Sequence, residues 1–226
     1  MKIQSALLPV AFATLLLAAP PVQGDQAGAR EKLEKEGIAF TPEAFLQKVA
    51  DGDAKHIALF LEAGIDPAAR NNMGRTALWV AVERKQLDVL KALLAGGVSP
   101  NEKNAPMLDG GKSLVFEAVD TGNVEFVRIL AEAGADAKTA NDYGVPPLAE
   151  AARTGNLEMC KILLKAGADP NAAPGGFPMI YSPVNEGHLE VVRLLLASGA
   201  KLGEHKEALV GAATTPEMRA LLEAAD

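Results

Sequence analysis

The chain has 226 residues, with 22 Lys and Arg against 29 Asp and Glu, a formal net charge of −7. That balance disfavours binding to nucleic-acid phosphates and makes a protein of basic or mixed charge the natural complement. The single cysteine, Cys160, excludes an intramolecular disulfide.

The first segment reads as an export signal. Met1-Lys2 is a short positive start, and Leu7–Ala19 is an apolar run broken only by Pro9 and Thr14. Val22-Gln23-Gly24 then places small or tolerated residues at the −3 and −1 positions of a cleavage site. The run is shorter than the ~18–20 residues that cross a bilayer, so residues 1–24 are expected to be a cleaved secretory signal and no membrane span is expected. No cysteine follows it, which argues against a lipid anchor. A mature chain starting near Asp25 loses only Lys2 among the charged residues and so carries −8. Residues 25–40 begin with a dense charge run, Arg30, Glu31, Lys32, Glu34, Lys35 and Glu36, and are expected to form a frayed helix or linker.

From residue 41 onward one short word recurs five times. It is plainest at Gly155–Asn171 and Gly187–Ala200, and looser copies begin at Gly52, Lys85 and Gly122. The glycines that close the copies are Gly64, Gly97, Gly134, Gly167 and Gly199, at spacings of 33, 37, 33 and 32. The spacing of 37 marks an insertion in the Glu102–Lys112 stretch. A fixed repeat of this length stacks into a solenoid instead of closing around one core. The expected units run approximately 41–70, 71–101, 102–138, 139–171 and 172–202, with a shortened cap at 203–226.

Local chemistry supports two helices per unit. Thr76, Ser113 and Thr215 are placed to cap helix N-termini, and Pro42, Pro147 and Pro216 suit first helical turns. Ala81, Ala118 and Ala151 allow close approach of the first helices, and Leu157, Cys160, Ile162, Leu163 and Leu164 make an apolar stripe in the second. Glu125–Arg128, Glu158–Lys161 and Glu190–Arg193 mark the solvated side at i,i+3 spacing. Cys160 shares its register position with Ile57, Leu90, Val127 and Val192, and reads as a core residue. Pro183 falls where the first helices of units two to four carry Ala81, Ala118 and Ala151; with Gly175-Gly176 and Pro178 it predicts an irregular helix around Met179–Gly187.

These words resemble the ankyrin-repeat family over roughly Thr41–Asp226. The family pattern G-x-T-P-L-H-x-A-A-x-x-G is met by Gly74–Val82 and by Pro146–Gly155. The resemblance implies an all-α ankyrin-repeat solenoid with β-hairpin-like fingers. It also implies that partners dock on the concave surface made by the fingers and the first helices.

No catalytic constellation emerges. His56, His188 and His205 lie in different units with no second ligand at i+3 or i+4 and read as structural. Gly111-Lys112-Ser113 resembles the end of a phosphate loop, but Pro106 stands where its first glycine belongs and no buried strand precedes it. No enzyme activity, cofactor or metal is expected, and the protein is expected to be a monomer that binds another protein.

The candidate contact residues fall in two rows. On the fingers, Met73, Met107, Leu108, Tyr143 and Phe177 are apolar groups that turn chemistry does not require. Met73 is expected to pack, whereas Tyr143 and Phe177 divide evenly between packing and exposure. On the first helices, Leu46, Trp79, Phe116, Ala149 and Tyr181 share one position, with Glu83, Glu117, Asp120, Glu150 and Glu186 beside them. Inter-repeat packing is the favoured reading of that row; an exposed aromatic ladder with Trp79 as anchor, facing a basic partner, is the other. An export signal on such an array, with no membrane helix and no N-glycosylation sequon, looks bacterial and periplasmic. An inhibitor, immunity-like, stress-protective or scaffolding role in the envelope is therefore expected. The alternatives are a ligand- or cation-binding protein or enzyme using the acidic concavity, and a secreted effector that binds a host protein.

Overall fold

The computed structural model describes residues 25–102 and 112–225. The expected signal segment 1–24 and residues 103–111, with Met107 and Leu108, lie outside the described residues.

The described chain is helical throughout. A leading helix α1 (Gln26–Lys35) precedes five helix pairs: α2 (Pro42–Asp51) with α3 (Ala54–Glu62), α4 (Ala77–Glu83) with α5 (Leu87–Ala95), α6 (Leu114–Asp120) with α7 (Val124–Glu132), α8 (Pro147–Arg153) with α9 (Leu157–Lys165), and α10 (Tyr181–Asn185) with α11 (Leu189–Ala197). A final pair, α12 (Lys206–Ala212) and α13 (Pro216–Ala224), closes the stack. The first helices α2, α4, α6, α8, α10 and α12 form an inner row and the second helices an outer row that α1 leads. Within the outer row α5 and α7 meet most sparsely. The one bridge of β type among the described residues is Arg70 with Thr76, at the base of a finger.

Helix starts follow the hydroxyl and proline signals. Thr41, Thr76, Ser113 and Thr215 accept from the backbone N–H of Ala44, Trp79, Phe116 and Met218 at 3.2, 3.4, 3.2 and 3.1 Å. Each such cap is worth ~1 kcal/mol. Every outer helix of the five units ends in the same reversal. The closing glycine sits at φ between 82° and 91°, and the next residue donates back to the carbonyl five positions earlier, as in Ile65 to Phe60 and Ala168 to Leu163. The inner helices reverse in the same way at Gly52, Gly122, Gly155 and Gly187, but in unit two Lys85 takes that place at φ 56°.

The core is one continuous layer between the rows. Ile57, Leu90, Val127, Cys160 and Val192 are all fully buried, as are Ala81, Ala118 and Ala151 where inner helices meet. Full burial of a Leu- or Ile-sized side chain contributes ~1.5–3 kcal/mol, and only the neighbouring unit supplies the cover. Burial also pushes the Cys160 thiol up to about 12, which makes it inert.

Three features depart from the sequence expectation or sharpen it. Of the frayed helix or linker expected for the charged segment, the structure forms a helix, and it is docked: α1 packs on α3 with Ala29 and Leu33 buried. Arg30 donates to the Ala63 carbonyl at 3.2 Å and its guanidinium lies 4.4 Å from the centre of the Phe40 ring. The irregular fifth unit is realised as a late start: α10 has five residues where α4, α6 and α8 have seven. Pro183 thereby falls in the first turn, where its missing N–H leaves no helical bond unmade. Finally, Asn101 and Asn171 join consecutive units. The Asn101 amide donates to the Gly134 carbonyl (3.1 Å) while its oxygen accepts from Asp136 N–H (2.8 Å). Asn171 does the same with Gly199 (3.0 Å) and Lys201 (2.9 Å).

Two outcomes are expected from urea unfolding. Lys85→Gly removes a side chain from a left-handed position and should stabilise the fold by ~0.5–1 kcal/mol, despite the added freedom of the unfolded chain. Asn171→Ala severs both bonds of one joint and should cost ~1–2 kcal/mol; no loss would show that the joint carries nothing.

Candidate protein-binding surface

Two of the fingers are copies of one turn. Asn71 N–H donates to the Arg75 carbonyl and Gly74 N–H to the Asn71 carbonyl, at 3.0 and 2.8 Å. The Asn71 side-chain oxygen accepts from Met73 and Arg75 N–H at 2.9 and 3.0 Å. Asn141 repeats every contact with Val145, Gly144 and Tyr143, at 2.9 to 3.0 Å. This turn uses its asparagine to satisfy the backbone from inside, so the third residue is turned out to solvent. Met73 is accordingly 57% exposed and Tyr143 79%. The expected packing of Met73 is therefore incorrect, since the Asn71 turn offers it no neighbour to lie on.

The fifth finger is built differently. A 3-10 turn at Pro174–Gly176 carries Phe177 outward, 55% exposed, with its ring centre 5.4 Å from that of half-buried Tyr181. The structure thus joins one member of the finger row to one of the inner-helix row. Met73, Tyr143 and Phe177 are the large apolar side chains exposed among the described residues, and all three stand on fingers.

The inner-helix row divides. Trp79 and Phe116 are buried, at 1% and 3% exposure, and so is Ala149. The exposed ladder with Trp79 as anchor is therefore incorrect: neither ring is exposed, and Trp79 belongs to the continuous core. Among the described residues the buried Trp79 indole N–H has no hydrogen-bond partner. Tyr181 alone of the row's aromatics reaches the surface, because the late start of α10 leaves it beside Phe177.

Three of the acids beside that row pair with cations. Arg75 pairs with Glu83, and Lys112 with Asp120. Lys112 also lies 5.5 Å from the centre of the Phe116 ring. In both cases the basic residue precedes the N-cap hydroxyl and the acid ends the same helix, a spacing that sequence reading passed over. Glu150 is held by Arg153 at 2.5 and 3.0 Å. The hydrogen bonds that Arg153 donates to Glu150, followed by the charges of Glu150, Glu186 and Asp120, hold its guanidinium above its ordinary range. Glu117 is half-buried. The inner face is consequently mixed in charge rather than uniformly acidic. The outer face carries its own ladder, in which Arg128 links Glu125 (3.5 Å) to Glu158 of the next unit (2.9 Å).

Among the described residues no three His, Cys, Asp or Glu side chains converge as metal ligands, and no helix is long and apolar enough to cross a membrane. His188 closes a joint. Its ring lies over Gly155, where a Cβ would stand 2.6 Å from it, and its Nε2 is 3.1 Å from the Arg153 carbonyl.

Known proteins bear on this surface. A family profile described as ankyrin repeats (3 copies) matches residues 98–174 and 115–206, and one described as ankyrin repeat matches 73–105. An ankyrin repeat-containing protein of Treponema pallidum (strain Nichols) is 31% identical over 116 residues, 51% of this chain and 38% of the relative. The B-cell lymphoma 3 protein homolog of Mus musculus is 34% identical over 149 residues, 65% of this chain and 33% of that one. The chain thus spans less than two fifths of the length of these curated relatives. Among solved structures, the ankyrin repeat domain of Bcl-3, of the IkappaB protein family, superposes with a TM-score of 0.67 at 26% identity, covering 88% of this chain and 91% of that one. An ankyrin repeat domain from Acinetobacter baumannii AYE gives a TM-score of 0.63 at 29% identity, covering 70% and 82%. Ankyrin repeats are protein–protein interaction modules and are typically not enzymes. The profile matches together span more than half of the sequence and the fold agrees over most of it, so the chain belongs to the ankyrin-repeat family.

Proposed function

We propose that this chain is an exported protein of the bacterial envelope, periplasmic or secreted, that binds another protein through its fingers and restrains or protects it. The observation that carries the reading is the placement of exposed apolar groups: Met73, Tyr143 and Phe177 all project from fingers. Aromatic anchors with polar surroundings supply most of the free energy at protein interfaces. The partner is of mixed charge, since the cations Arg75, Lys112 and Arg153 interleave with Glu83, Asp120, Glu150 and Glu186 across the inner face. Fingers lying in a partner's cleft would block it by occupying it. Export rests on the pattern of residues 1–24, a positive start, an apolar run and a small-residue site.

The full chain with residues 1–24 in place, tagged at its C-terminus and expressed in its native organism, should lose its first ~24 residues, fractionate with the envelope and retain one stoichiometric partner. Tyr143→Ala and Phe177→Ala should each weaken that partner's binding by ~2 kcal/mol or more, about thirtyfold in Kd. Lys161→Ala on the outer face should leave it within a factor of two or so. Unchanged affinity in both finger variants would refute the finger surface, and retention in the cytoplasm would refute export.

A further inference from the structure

One register position of the outer helices carries Val89, Phe126, Met159 and Val191 in units two to five, all buried. In unit one the same position is His56, and its side chain is mostly buried as well. Its Nδ1 lies 2.5 Å from an oxygen of Asp53, the N-cap of α3, and its Nε2 lies 2.6 Å from an oxygen of Glu36, the C-cap of α1. Ionised carboxylates only accept hydrogen bonds, so this arrangement needs a proton on each ring nitrogen, and imidazole carries two only as the cation. Two further charges bear on the cluster. Lys55 of α3 reaches Glu36 at 3.1 Å, and Lys48 of α2 reaches Asp53 at 3.2 Å. The other helix packed on α3 is α5, whose charged residues Asp88 and Lys91 are exposed to solvent.

We propose that His56 is a proton-operated latch for the N-terminal helix: the imidazolium ties the end of α1 to the start of α3, and loss of its proton frees Glu36. When one proton leaves, one nitrogen presents a lone pair to a carboxylate and that contact opens. Asp53 stays, because it also accepts the His56 backbone N–H (3.3 Å) and the Lys48 ammonium. Glu36 belongs to another helix and is largely open to water, so it is the one released. The packing of Ala29 and Leu33 and the Arg30 bond to Ala63 do not depend on the His56 proton, so α1 stays seated and its last turn loosens.

The signs bound a window. The tie contributes while the ring is charged and is lost as rising pH takes its proton. At the acid end, hydrogen bonds from His56 and then Lys55 hold Glu36 below its usual range. Burial opposes the same shift in Asp53, but the His56 and Lys48 contacts outweigh it. Stability from these carboxylates is present at neutral pH and lost as pH falls through their depressed range.

Amide hydrogen exchange on the mature chain tests the latch. Gly37 and Ile38 N–H donate to the carbonyls of Glu34 and Leu33 and report the end of α1. Corrected for intrinsic rates and referenced to α9, their protection should fall about two- to fivefold between about pH 5.5 and about pH 8. His56→Gln and Glu36→Gln should each remove that pH dependence; Glu36 is exposed enough that its variant keeps the fold. Equal wild-type protection at both pH values, or the same pH dependence surviving in both variants, overturns the proposal.

Discussion

Each helix pair in this protein has an apolar face that it cannot cover by itself. Val89, Leu90 and Leu93 of α5, or Met159, Cys160 and Leu163 of α9, leave water only because the next pair lies against them. Stacking at the required distance asks for small residues where inner helices meet and for abrupt reversals between rows. Ala81, Ala118 and Ala151 meet the first need, and left-handed glycines at the helix ends meet the second. Because units obey the same constraint, one backbone can present different side chains, as the matching Asn71 and Asn141 turns do with Met73 and Tyr143.

A stack has two ends where the constraint fails. At the carboxyl end Leu209, Met218 and Leu222 of α12 and α13 turn inward and their polar faces outward. At the amino end α1 performs that office, and the buried register position turns from apolar to histidine where it meets the helix. At this register position the one polar residue thus stands at a boundary, where charged partners are at hand. The asparagine joints serve the interior boundaries in a related way, satisfying the exposed turn of the next unit from the previous one.

Most of the architecture was legible in the sequence because repetition multiplies weak signals. A single threonine before an apolar run is a modest sign of a helix start, but the same sign in register at Thr41, Thr76 and Ser113 is a strong one. The site was less legible. Whether an aromatic on an inner helix faces the neighbour or the solvent depends on a few degrees of helix placement, and Trp79 and Tyr181 share a register position yet end on opposite sides of that line. The late start of α10, forced by Pro183, separates them. Met73 was misread because its composition suggests packing while the Asn71 turn dictates exposure; the matching Asn-x-x-Gly words at Asn71 and Asn141 held the signal. The docking of α1 was hidden because its charged residues dominate the segment while two small contributions, Ala29 and Leu33, decide its fate.

Function on this scaffold reduces to which face meets a partner. The inner and finger face offers exposed aromatics among balanced charges, whereas the outer face offers a ladder of ion pairs already closed on itself through Arg128. The most direct measurement is site-specific photo-crosslinking in the native organism, with a photoreactive phenylalanine analogue placed at Tyr143 and, in a second strain, at exposed Lys161 on the outer face. The account predicts one discrete crosslinked protein at Tyr143 and none at Lys161. The same product from Lys161, with none from Tyr143, would contradict it.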